Sequence, residues 1–160
     1  MSEVMLMEIK GIKGGSLLEG AKDLVECFSF NHSVSMETTS DTSNGERTTG
    51  RAEHGDMVIT KFVDQSTPLL NEKMCAGKPI GTVKFKIGRS DNNKFLPIMD
   101  YVLDDVVISN VSVGGGGGKP TETVTLNYSK IQWTFTGQKE GGGKEGVVSA
   151  KHDLKKNTVK

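Results

Sequence analysis

The chain has 160 residues, and its 20 Lys and Arg are matched by 20 Asp and Glu, so the formal net charge is zero. That balance leaves no bulk attraction for nucleic acid or an anionic membrane surface. Twenty glycines, six Phe and a single Trp fit a β-rich chain with many turns, and the length predicts one domain over residues 1–160 with one core. Two cysteines, Cys27 and Cys75, make no disulfide framework, and reduced thiols are expected.

At the N-terminus, Glu3 stands where a signal peptide needs basic residues, and Glu8 interrupts the apolar run after Val4 to Met7. No stretch approaches the roughly 20 apolar residues of a membrane span. The expectation is a protein made in the cytoplasm, which would leave the cell only by a route that reads no cleaved signal.

Val4 to Ile9 predicts a first strand, followed by a Gly11–Gly15 turn region. Leu24 to Met36 reads as one long strand. Phe28, Phe30, Val34 and Met36 lie on a core face, and Cys27, Ser29, Asn31, Ser33 and Ser35 on a small polar face. Residues 37–55 contain almost nothing apolar and predict a long polar loop. Met57 to Val63 then forms a strand that is apolar on both sides: Met57, Ile59 and Val63 point one way, Val58 and Phe62 the other. Two apolar faces need two covers, so Met57, Ile59 and Val63 are assigned to a subunit interface. Ser66 or Thr67 caps a helix, Pro68 suits its first turn, Leu70 and Met74 repeat at helical spacing, and Gly77 ends it, which predicts a helix over 67–76.

Val83, Phe85 and Ile87 alternate with lysines as a half-buried strand. Phe95 to Val113 is too long for one straight strand and predicts a bend near Asp104-Asp105. Gly114 to Gly118 lead into Thr121–Thr136, where the apolar phase shifts from Val124, Leu126 and Tyr128 to Ile131, Trp133 and Phe135; a β-bulge near Ser129-Lys130 is expected. A second Gly-rich turn precedes a closing strand near Val147 to Leu154. The fold class is mainly β, a small closed or nearly closed antiparallel barrel with one flanking helix.

Motifs for chemistry are missing. His32, His54 and His152 lack metal-ligand spacing, and the Gly-rich run before Lys119 has Val113 and Pro120 where a phosphate loop needs Gly and Ser or Thr. Asp41 to Gly45 departs from a calcium loop by one position. No catalytic set, cofactor or metal is assigned. Two other classes remain open: a monomeric lipocalin- or lectin-type binding module, and a hydrolase in which Asp104, His54 and Ser109 meet only in the fold.

Ile59-Thr-Lys-Phe-Val-Asp-Gln-Ser-Thr-Pro-Leu-Leu70 resembles the strand-to-helix segment of the haemolysin-coregulated protein (Hcp) family, the tube subunits of bacterial type VI secretion systems. Val106 to Val113 running into glycines, Glu122-Thr-Val-Thr-Leu-Asn-Tyr128 leading into Ile131 to Phe135, and a Gly-rich turn before a Lys-rich end carry the resemblance across nearly the whole chain. Residues 37–55 match no family motif, and Phe28 and Phe30 stand where bulkier aromatics are common. The resemblance, which extends to tail-tube proteins of contractile phages, implies a hexameric ring and stacks of such rings forming a hollow tube. It also implies a spike at the tip, a contracting sheath, small effector cargo and export by type VI secretion. On that reading Cys27, Ser29, Asn31 and Ser33 face the lumen. Residues 1–56 hold ten acids and five bases against ten and fifteen in the remainder. Ring stacking is therefore assigned to Asp41, Glu46, Arg47, Arg51, Lys155 and Lys156, with the acids of the polar loop meeting the Lys-rich end.

Overall fold

The computed structural model describes residues 3–38, 49–138, 144–156 and 158–159. In chain order the elements are β1 (Glu3–Ile9), β2 (Val25–Cys27), β3 (Ser29–Asn31), β4 (Val34–Thr38), β5 (Thr49–His54) and β6 (Met57–Phe62). After them come α1 (Thr67–Ala76), β7 (Gly81–Asp91), β8 (Lys94–Gly114), β9 (Thr121–Asn127), β10 (Lys130–Gln138), β11 (Lys144–Asp153) and β12 (Thr158–Val159).

Strand β8 organises the sheet because it bends. Its first part pairs with β7 on one side and β10 on the other, and its second part pairs with β9. The bend falls at Asp105, whose φ of 54° is a left-handed conformation that few non-glycine residues adopt. From β7 the order continues through β1 to β2, and from β9 through β6 to β3. Since β2 leads directly into β3, the chain itself bridges the two ends, with the Phe28 amide bonded to the Thr60 carbonyl at 3.0 Å. The barrel is thus nearly closed without a complete ladder. Strands β10, β11 and β12 extend from β8 as a flange.

Alternation fills the interior. Met7, Ile9, Val25, Met57, Ile59, Val83, Phe85, Leu103, Val124, Leu126 and Ile131 form one buried cluster, capped by Leu70 from the helix. Helix α1 starts after Ser66, carries Pro68 in its first turn and ends at Gly77, whose φ of 65° lets its amide close on the Lys73 and Met74 carbonyls. Close strand approach explains Gly88, where an added Cβ would lie 2.1 Å from the Leu96 carbonyl oxygen beside a register shift.

Three expectations change. The 24–36 segment is three strands with three partners: β2 on β1, β3 on β6, and β4 on β5. At Phe28 the phase slips, so Val25 and Phe30 both turn inward while Phe28, Val34 and Met36 are exposed. Of the 37–55 segment, residues 39–48 lie outside the described residues; the rest is no loop, because Val34 pairs with His54 and Ser35 with Glu53 to form an arm whose two strands, among the described residues, pair only with each other. The face change after Tyr128 is a strand break and not a bulge: β9 pairs with β6 and β8, whereas β10 pairs with β8 and β11.

Candidate functional site

The outer surface of β3, β6, β9 and β8 is a regular face that spans four strands. Cross-strand partners present side chains on the same face. One row therefore reads Ser29, Thr60, Thr123, Ser112, and the next Asn31, Val58, Thr125, Asn110. Hydroxyls and amides dominate, and neither row contains a charge. At one end Asp56 accepts from Asn127 (2.9 Å) and Ser109 (3.2 Å). At the other, Phe28 and Phe62 meet at 4.8 Å, both exposed, with the Lys119 ammonium 4.7 Å from the Phe62 ring centre.

Behind this wall lies a buried charged cluster. Lys61 follows Met57 and Ile59 onto the inner face and is 0% exposed. Its ammonium lies 3.1 Å from Glu122, also fully buried, and 3.0 Å from Asp64. Asp64 accepts from the Ser66 amide at 2.8 Å, and the Thr67 hydroxyl donates to Glu122. Burial alone would raise the Asp64 carboxyl, but hydrogen bonds from Ser66 and Lys61 hold it below the usual carboxylate range. The cluster ties β6, β9 and the start of α1 together. The same environment pushes the Cys27 thiol up to about 12, through burial that outweighs the nearby Lys61 charge.

A second surface continues the core outward across the flange. The rows His152–Ile131–Leu103–Val83 and Ala150–Trp133–Tyr101–Phe85 are followed by Val148–Phe135–Met99–Ile87. In that last row Phe135 is 49% and Val148 71% exposed.

The residues assigned from sequence fall in several places. Ser29, Asn31 and Ser33 are exposed, and Ser29 and Asn31 share the uncharged face. Cys27 does not join them; it precedes the phase slip, packs against the core and points its Sγ to the Val25 carbonyl. Met57 and Ile59 are 0% exposed in the chain's own core, which corrects their assignment to a subunit contact because no area is left to give. Val63 is half-buried. Arg51 is exposed on the arm, and Lys155 reaches Asp105 at 2.9 Å while Lys156 lies exposed nearby. Asp41, Glu46 and Arg47 lie outside the described residues. Asp104, His54 and Ser109 do not meet: Asp104 accepts from Thr82, His54 contacts His152, and Ser109 donates to Asp56.

Sequence reasoning missed Thr60, Thr123, Thr125, Asn110 and Ser112. The Thr121-x-Thr123-x-Thr125 alternation signalled one polar face, but its neighbours were set by long-range pairing. The reading also missed Lys61, although the phase of Met57 and Ile59 placed it inside. Among the described residues there is no group of three His, Cys, Asp or Glu able to hold a metal ion, and no helix long and apolar enough to cross a membrane.

Residues 6–135 match the family model described as type VI secretion system effector, Hcp. "Protein hcp1" of Pseudomonas aeruginosa is 36% identical over 93 residues, covering 57% of each chain, so the match spans little more than half of that relative. The "Major exported protein" of the same organism is 29% identical over 130 residues, or 76% of this chain and 74% of that protein. A solved "type six secretion system protein" superposes with a TM-score of 0.91 over 99% of this chain and 100% of that one, at 21% identity, a likeness of fold.

Proposed function

The chain belongs to the Hcp family of type VI secretion proteins, and we propose that it is a structural subunit of the secretion tube, working as a hexameric ring that stacks on copies of itself. The observation that carries this reading is the uncharged face of Ser29, Asn31, Thr60, Thr123, Thr125, Asn110 and Ser112, which spans four strands of a packed barrel. Small hydroxyls and amides hold water at a wall without fixed charge, so cargo of varied charge passes without tight binding. A binding module is less well supported, because Met7, Phe85, Leu103 and Leu126 fill the barrel interior that a ligand would need. Lateral contacts are assigned to Phe135 and Val148, and the acidic half of the chain meets the Lys155 and Lys156 end of a neighbouring ring. Spike, sheath and lumen cargo are the partners this role entails, and export by type VI secretion is its route, in line with the exported relative.

Native mass spectrometry tests the ring. Assembly yields about six times the 17.2 kDa chain mass and annular particles in negative stain. A folded species that stays monomeric at high micromolar concentration would sink the reading. For the wall, Ser29→Gln should alter cargo retention and leave ring assembly intact; failure of rings to form would mean that this face is buried between subunits.

A further inference from the structure

Among the described residues the arm of β4 and β5 pairs with no other strand, so side chains at its base hold it to the body. His54, the last residue of β5, stacks on Trp133 of β10 (5.9 Å between ring centres, 24°) and on His152 of β11 (4.9 Å, 26°). Its Nε2 lies 2.7 Å from Nδ1 of His152. The other nitrogen of His54, Nδ1, is buried and has no hydrogen-bond partner. That orphan assigns the tautomer: Nε2–H donates to His152, and Nδ1 is a bare lone pair, since a buried N–H without an acceptor is the costlier arrangement.

We propose that the His54–His152 contact is an acid-sensitive latch, which docks the β4–β5 arm on the β10–β11 flange at neutral pH and releases it on mild acidification. The open position for a proton is His54 Nδ1, where it leaves the Nε2–H bond to His152 in place but penalises the docked arm. There it creates a buried cationic N–H with no acceptor. The charges felt by His54 are those of His152 and of His32, whose ring centre is 6.0 Å away. Burial first, then these two neighbours, lowers His54 below its ordinary value of 6.5, and burial lowers His32 likewise. The other titratable groups packed here are phenols, Tyr128 from the β9–β10 junction and Tyr101 from β8, both held neutral by burial. Asp56, next to Gly55, is engaged by Asn127 and Ser109. On β11, Lys151 and Asp153 flank His152 and point to the opposite face, Asp153 facing Lys130 at 3.8 Å.

A hinge remains after release. The Tyr128 hydroxyl donates to the Gly55 carbonyl at 3.0 Å and so accepts from His32 Nε2–H, a bond that a protonated His32 keeps. The sign follows from linkage. The open arm binds more protons than the docked one, so docking is at full strength above 6.5 and weakens as pH falls from there through the lowered values. Each proton taken up changes the docked-to-open ratio by up to about tenfold per pH unit.

Trp133 is the only tryptophan, which makes it a direct reporter of what His54 covers. Acrylamide quenching of Trp133 in the full chain should rise severalfold between neutral pH and the acid side of that window, with far-ultraviolet dichroism unchanged. His54→Phe keeps a stacked ring without a titratable nitrogen and should remove the pH step. Equal quenching across the window, or a step retained in His54→Phe, overturns the latch. If that variant does not fold, imidazole NMR of the unaltered protein decides: a depressed titration of His54 supports the latch, and titration of His54 at the ordinary value overturns it.

Discussion

Lys61 is the residue at which this fold takes its largest risk. An ammonium with no exposed surface is tolerable only because Glu122 and Asp64 stand within 3.1 Å and Thr67 shares the Glu122 carboxylate. Removing one partner strands the other charge, so Lys61→Met should cost about 3–5 kcal/mol in urea unfolding. Adding Glu122→Gln to that variant should recover a large part; a double variant as unstable as the single one would show that the lysine stem, and not the charge, matters. Asp64 gives the cluster a pH signature. Its folded-state value lies below the ordinary 3.8, so its contribution is full above that value and is lost as pH falls through the lowered one. Asp64→Asn should therefore be less stable at neutral pH and show a shallower loss of melting temperature on acidification.

Among the elements, α1 depends on local chemistry that a substitution can probe. Gly77 closes it in a left-handed conformation, and Gly77→Ala should cost about 1–2 kcal/mol, read as a lower thermal midpoint with unchanged dichroism. Such features were legible in the sequence: Pro68, Leu70 and Gly77 mark the helix at 67–76, and the bend at Asp104-Asp105 falls where φ turns positive. Positions set by pairing at a distance were not legible. Phe28 looks like a core residue by alternation, but the chain there passes from a β1 partner to a β6 partner and slips by one residue. Lys61 is in phase with Met57 and Ile59, but the partner that lets its charge follow them inside, Glu122, arrives only from β9. The uncharged face was half visible, because Ser29 and Asn31 lie on one strand while Thr123 and Ser112 reach them only through β6 and β8.

For the whole molecule, the question is what covers the surfaces one copy leaves open. Phe135 and Val148 continue the core rows into solvent, and burying such side chains against a neighbour contributes about 1.5–3 kcal/mol each. Phe135→Asp should thus return rings to monomers in native mass while the monomer still unfolds cooperatively; intact rings would move the contact elsewhere. In the proposed tube, stacking would rest on charge. Residues 40–47 carry Asp41 and Glu46 in the acidic half of the chain, and Lys155 and Lys156 lie at the other end. Single exposed pairs are worth about 0–1 kcal/mol, yet a ring repeats each of them around its axis. Replacing 40–47 by a Gly-Ser linker should keep rings and thermal stability and abolish tubes, and raised salt should weaken stacks of the unaltered protein in the same way. A linker variant that no longer folds would make the segment structural, and one that still forms tubes would place the junction outside it.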